Sequence, residues 1–345
     1  MPKFNIDQIV IGTDLPPQVV VELGINHGGK LKEAKKLVDA AIDTGAKLIK
    51  HQTHIPDAEM SNEARHVKPG NADQSIYEVI SQNTLSEEDE YELFTYVKKR
   101  EGIFFSTPFS REAFYRLKSW GVPAYKIGSG ECGNFPLVDL IASDKKPIIM
   151  STGMNTLETI GKSVNILRSH GVPFALMHTT NLYPTPSNLI RLGGIDDLRK
   201  YFPDAVIGLS DHSTSNAACI ASISHGARIL ERHFTDTRAR TGPDISCSMD
   251  PEDLRRLIRE SNDAYLAEGG GRYPTSEEAV TIRFAFASVV STKEIKPGEL
   301  LTDENIWVKR PSGGDFGPAD LPNLIGRQAR RLIYSNTQIS IEDLA

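Results

Sequence analysis

Cysteine is scarce in this chain. Three in 345 residues, Cys132, Cys219 and Cys247, are an odd number at wide spacing, which supports neither a disulfide framework nor a four-thiolate zinc site. Free, buried thiols are the expectation. Positive charge is not in excess either: 39 Lys and Arg against 45 Asp and Glu leave a net charge of −6, without the basic face that nucleic acid or an anionic membrane would favour. No apolar run approaches the roughly 18 residues of a membrane span. The opening MPKFNIDQIVIGTDLPPQVV lacks a basic segment followed by an apolar one and a cleavage site. A cytoplasmic protein with no nucleic-acid or membrane partner is the expectation.

What is present is a regular alternation. Short apolar runs occur at 19–24, 47–53, 103–109, 124–130, 147–153, 173–180, 205–212 and 228–235, and each begins apolar and ends polar. Between most of them lie segments with helical spacing. In LKEAKKLVDAAIDTGA, residues Leu31, Ala34, Leu37, Val38, Ala41 and Ile42 share one face. NTLETIGKSVNILRSHG reads as a helix capped by Asn155, with Glu158 three residues on, and closed by Gly171. Strand and helix alternating eight times over about 250 residues predict a (β/α)8 barrel of the α/β class. A doubly wound open sheet is the competing architecture; polar ends on every run favour the barrel, whose rim carries chemistry. The stretch 54–85 is too long for an ordinary connection and reads as a functional loop over that rim.

The pattern changes after residue 267. EGGGRYPTSEEA is rich in Gly, Pro and charge and reads as a linker, 268–283. Residues 284–345 have short β-like pieces between turn residues, and about 60 residues is marginal for an independent core. This module is expected to lean on something larger than itself.

In a barrel, the strand ends gather Glu22, Lys50, Gln52, Thr107, Lys126, Ser129, Ser151, Asn181, Ser210, His212 and His233 around one mouth. Half-buried lysines are costly unless an anion meets them. With the hydroxyls and loop amides of GSGECG and STGMN, Lys50 and Lys126 suit a phosphate or carboxylate. His212 and His233, ending consecutive strands, suit one divalent ion, whereas His51 and His54 do not converge as simply because strand residues alternate faces. A lysine Schiff base, as in barrel aldolases, stays open as an alternative, as does the plainer reading of the glycine-rich pieces as tight turns.

The motifs ELGINHGG, KHQTHIPDAEMS, PGNADQSIYE, STPFS, YKIGSGE, STGMN, NLYPTP, GLSDHS, ERHFTD and GPDISCSM, with FAFASVV and NIWVKRP further on, resemble the bacterial sialic acid synthase family over nearly the whole chain. The resemblance implies a barrel (1–267), a linker and an antifreeze-like (SAF) domain (284–345) that caps the partner's barrel in a domain-swapped homodimer. It implies condensation of phosphoenolpyruvate with N-acetylmannosamine and water to give N-acetylneuraminate and phosphate, with C–O cleavage. By the same resemblance His212 and His233 bind Mn²⁺ or Mg²⁺. Lys50, Thr107, Lys126, Ser129, Ser151, Asn181 and Ser210 match the phosphoenolpyruvate pocket, and Gln52, Asn71, Glu131 and Tyr183 match the sugar site. Arg310 matches an arginine presented by the partner. Glu22 and Asp244 match acids near the reacting carbons, either of which is a candidate base.

Synthases of legionaminic and pseudaminic acids look similar and differ in the amino sugar; PGNADQSIYE and NLYPTPSNLIRLGG look more like the N-acetylneuraminate group. An ice-binding or carbohydrate-binding role, suggested by the antifreeze-like module alone, leaves the strand-end constellation unexplained.

Overall fold

The computed structural model describes residues 1–70 and 72–345 and divides into two compact units, Met1–Gly269 and Gly270–Ala345. The first begins with an antiparallel hairpin, β1 (Lys3–Ile6) and β2 (Ile9–Gly12). Eight parallel strands follow: β3 (Gln18–Glu22), β4 (Leu48–Thr53), β5 (Ile103–Pro108), β6 (Tyr125–Ile127), β7 (Ile148–Ser151), β8 (Phe174–Thr179), β9 (Val206–Asp211) and β10 (Ile229–His233). They close into a barrel in chain order, β10 pairing with β3 so that His233 lies beside Glu22. The eight expected runs are these eight strands, and closure excludes the open sheet.

Period-two alternation sorts every strand into two faces. Val20, Leu48, Ile103, Phe105, Ala124, Ile149, Ala175, Met177, Val206 and Ile229 form an apolar interior. The residues between them, including Val21, Ile49, Phe104, Tyr125, Met150, Leu176, Ile207 and Leu230, pack outward with the surrounding helices in a second core. Helices Leu31–Asp43, Glu87–Lys99 and Leu157–His170 exemplify the covering layer: Ala34, Leu37, Val38 and Ala41 of the first are buried, as its spacing predicts. Phe4, Ile6 and Ile11 of the hairpin join the interior cluster and plug its amino end. That hairpin escaped the sequence reading because its two strands are only four residues each, around Asp7 in a left-handed conformation (φ 52°).

One local expectation needs correction. The helix at 157–170 is capped by Thr156, whose side chain accepts from Thr159 N, and not by Asn155. Gly171 closes it in the left-handed conformation, as expected. Asn155 instead donates to the carbonyls of Ser129 (2.8 Å) and Gly153 (2.7 Å), tying two loops together. The stretch 54–85 contains helices Pro56–Glu59 and Ile76–Asn83, the latter with a Ser75/Glu78 capping box.

The second unit has its own antiparallel pair, β11 (Ser288–Ser291) and β12 (Ile306–Lys309). Val289, Ile295, Leu301, Ile306, Leu324, Ala329, Ile333, Ile339 and Leu344 form its small core. The stretch expected as a linker, 268–283, carries a Thr275/Glu278 capping box, Glu278 accepting from Thr275 N at 2.7 Å, at the head of a 3-10 turn, Ser276–Glu278, that runs into helix Ala279–Ala285. The TSEE sequence is the capping signature that announces this turn.

Candidate active site

At the carboxyl end of the barrel the same alternation turns from apolar to polar side chains. They line a cavity of about 210 Å³. Among the sequence-predicted residues, Glu22, Lys50, Gln52, Thr107, Lys126, Ser129, Glu131, Ser151, Asn181, Tyr183, Ser210, His212 and His233 all line it. Asp244 stands behind His233, its Oδ2 3.6 Å from Nδ1. Arg310 is exposed on the second unit. Asn71 lies outside the described residues.

The charged groups form one buried network. Lys50 donates to Glu22 Oε2 at 2.6 Å, and its Nζ is 3.3 Å from Glu231 Oε1. Lys126 donates to Ser151 Oγ at 2.5 Å and reaches Glu231 Oε1 only at 3.7 Å. Ser210 donates to the same oxygen at 3.3 Å. Glu231, absent from the sequence reading, is thus the hub of the mouth; lying two residues before His233 on one strand, it had to share that residue's face. Phe109 and Thr179 also line the cavity unanticipated.

The two lysines are displaced in opposite directions. Burial lowers Lys126 to about 8, with Glu231 pulling against it. Burial acts on Lys50 as well, but Glu22 and Glu231 together outweigh it and raise Lys50 above its ordinary value. Geometry accounts for the difference, since Lys50 has two carboxylates within 3.3 Å and Lys126 has none that close. Burial also pushes Glu231 upward, and the lysines overcome it to leave the group at about 2. The mouth therefore balances two ammoniums with two carboxylates. Lys50, firmly cationic, is a poor Schiff-base nucleophile.

His212 and His233 approach with ring centroids 5.4 Å apart, and Tyr183 stacks on His212 at 4.1 Å. His212 Nδ1 faces the Thr180 carbonyl at 2.9 Å, so Nδ1 carries the proton and Nε2 keeps a lone pair, the second-sphere arrangement of a metal-binding imidazole. Burial and then His233 hold His212 at about 3, in its neutral form. Among the described residues, no group of three or more His, Cys, Asp or Glu side chains is arranged to hold a metal. Also among them, Ser129 Oγ, Asn181 Oδ1, Glu231 Oε2 and His233 Nδ1 are buried without a hydrogen-bond partner. Buried polar atoms left so are costly in isolation, and four in one mouth make it the candidate site for a polar ligand.

Comparison with known proteins matches residues 37–273 to the NeuB family and residues 286–345 to the SAF domain. The chain is 33% identical to the N,N'-diacetyllegionaminic acid synthase of Campylobacter jejuni, over 86% of this chain and 91% of that one. It is 32% identical to a pseudaminic acid synthase of the same species, over 95% of each. The crystal structure of an N-acetylneuraminic acid synthetase from Leptospira borgpetersenii superposes with a TM-score of 0.74 at 27% identity, covering 81% of this chain and 95% of that one.

Proposed function

Because the chain belongs to the NeuB family, we propose that this barrel mouth condenses phosphoenolpyruvate with N-acetylmannosamine and water, giving N-acetylneuraminate and phosphate. The observation that carries the reading is the juxtaposition, in one cavity, of two buried lysines, two unpartnered polar groups at Ser129 and Asn181, and an imidazole pair. Lys50 and Lys126 hold the anionic groups of phosphoenolpyruvate, and Thr107, Ser129, Ser151, Asn181 and Ser210 supply hydrogen bonds around them. Gln52, Glu131 and Tyr183, which line the same cavity, take the sugar. The Leptospira synthetase supports this sugar. The legionaminic acid synthase at 33% identity supports a second reading with 2,4-diacetamido-2,4,6-trideoxymannose as acceptor.

The two imidazoles at the mouth, His212 with a lone pair on Nε2 and His233 beside it with ring centroids 5.4 Å apart, would give one divalent ion such as Mn²⁺ or Mg²⁺ two nitrogen donors, its other places going to substrate oxygens and water. When bound, the ion supplies Lewis acidity toward the aldehyde oxygen of the open-chain sugar. C3 of phosphoenolpyruvate forms the new bond to the aldehyde carbon as its C=O π bond opens to an alkoxide, leaving positive charge at C2. Water adds at C2 and gives up a proton, the alkoxide takes up a proton to become a hydroxyl, and the resulting hemiketal phosphate breaks its C2–O bond, releasing phosphate with the C2 hydroxyl proton and leaving a ketone. Glu22 is the base in this reading because it lines the cavity, with its oxygens aimed by Lys50 and Gln52 at 2.6 Å each, whereas Asp244 stands behind His233. The barrel's own contribution is to fix the reacting carbons near attack distance.

The second unit completes the site in this reading, as a cap donated by the partner of a domain-swapped homodimer. What supports it is exposure: Val280, Phe284, Phe286, Trp307 and Tyr334 are more than half exposed on a unit of only 76 residues, and Arg310 of the same unit is exposed too.

Phosphate release by metal-stripped protein, with Mn²⁺ restored, tests the reading against both sugars. Metal-dependent release with N-acetylmannosamine is expected. Preference for the diacetamido sugar changes the product to a legionaminic acid, and no release with either defeats the condensation.

A further inference from the structure

One side-chain relay at the mouth runs back from Glu22 and Gln52 to groups that the reaction scheme does not use. His54 lies just past the end of β4, where Pro56 turns the chain into the helix Pro56–Glu59 and brings Glu59 back against it. The two side chains are 6% and 7% exposed, with His54 Nδ1 at 2.9 and 3.0 Å from the Glu59 oxygens. The imidazole lies flat on Phe109, centroids 4.2 Å apart and planes 12° apart. Its other nitrogen, Nε2, faces Gln52 Oε1 at 3.1 Å. Gln52 Nε2 then donates to Glu22 Oε1 at 2.6 Å. His54 does not line the cavity, but Phe109, Gln52 and Glu22 all do.

The chemistry of this chain is directional. A carboxamide can turn over at little steric cost, because its oxygen and nitrogen are similar in size. Turned over, Gln52 would set its oxygen against Glu22 Oε1 with no proton between them, and the carboxylate would lose one of the two donors that aim it. His54 prevents this by presenting N–H to the amide oxygen. Glu59 faces the opposite nitrogen, so the ring is held from both sides, and low exposure spares the pair much of the screening felt by a surface pair.

We propose that His54, clamped by Glu59 and stacked on Phe109, is a positioning residue for the condensation: it fixes the Gln52 carboxamide so that its nitrogen faces Glu22 and keeps that carboxylate aimed into the mouth. This inference rests on the proposed function for the reaction it serves, but the clamp itself is a separate structural claim.

The test uses the full-length protein with His54→Leu and His54→Gln, measuring steady-state phosphate release, Tm, and hydrogen exchange of the Gln52 side-chain amide by NMR of glutamine-labelled protein. In His54→Leu, kcat falls by about tenfold or more, since small misplacements of reacting groups have large rate effects. The KM for phosphoenolpyruvate changes by less than about threefold because the lysine pocket is intact. Exchange of the Gln52 amide accelerates. In His54→Gln, whose amide reaches where Nε2 did, kcat and amide protection largely recover. A His54→Leu enzyme with kcat within about twofold of wild type overturns the proposal, as does a loss in both variants that follows Tm with no recovery by Gln. If wild-type protein releases no phosphate, the proposed reaction fails by itself; the amide measurement still decides the clamp, and unchanged protection in His54→Leu refutes it.

Discussion

Gly153→Ala adds one methyl group at the most crowded point of the mouth. Gly153 does not occupy the left-handed region, so alanine brings no backbone penalty and the effect is one of contact. The new carbon would lie 1.9 Å from Asn181 Oδ1 and 3.0 Å from both Ser129 Oγ and the Thr179 carbonyl. Asn181 would have to retreat by more than about 1 Å to restore van der Waals separation. The loop cannot back away instead, because Asn155 holds the Gly153 and Ser129 carbonyls at 2.7 and 2.8 Å. A displacement of that size in a positioning group costs about 100-fold, or about 2.7 kcal/mol of transition-state stabilisation. Overpacking takes a further ~1–3 kcal/mol from folding stability. The assay is kcat/KM for phosphoenolpyruvate from phosphate release, paired with urea unfolding. Gly193→Ala serves as the control, since a methyl there meets nothing within 4 Å. A Gly153→Ala enzyme retaining kcat/KM within about threefold of wild type refutes the assignment of Asn181 and Ser129 to the phosphoenolpyruvate pocket.

Three further outcomes are expected. Lys126, lowered by burial to about 8, is cationic below that pH and neutral above it; KM for phosphoenolpyruvate rises above pH 8, toward about tenfold per unit, and a flat profile to high pH removes Lys126 from the anion site. His212→Ala and His233→Ala each abolish Mn²⁺ binding, read by electron paramagnetic resonance, and reduce Mn²⁺-stimulated phosphate release by about 100-fold or more; retention of tight Mn²⁺ binding by both places the ion elsewhere. Arg310→Ala and Lys50→Ala proteins are each inactive, but when mixed and allowed to exchange subunits they recover about a quarter of wild-type activity if each cap serves its partner's barrel. Mixtures that stay inactive despite demonstrated exchange argue against the swapped cap.

Much of the fold was legible because barrel strands are buried on both faces and so read as short apolar runs, with polar residues only where each meets the open rim. The hairpin β1–β2 was not, since four-residue strands carry too little periodicity to stand out. Asn155 and Thr156 are adjacent and both suit a helix cap; the choice went to Thr156 because Asn155 is engaged by carbonyls from two loops. Most of the residues that line the candidate cavity were legible from strand ends and motifs. Glu231 was also within reach, as period two places it beside His233 on the inner face. Its consequence was not: that Lys50 is raised and Lys126 lowered depends on ångström differences in distance to Glu22 and Glu231.

The sequence by itself determined the alternation of strands and helices and which strand residues face inward, because side-chain burial and turn chemistry act over a few neighbouring residues. Only the tertiary structure decided which buried charges meet. Closure of the barrel sets β10 beside β3, with His233 in register with Glu22, and brings Lys50 and Lys126 from different strands onto one carboxylate. Electrostatic energy falls off over a few ångströms inside such a site, so the properties of these groups belong to the closed ring and not to any segment of it.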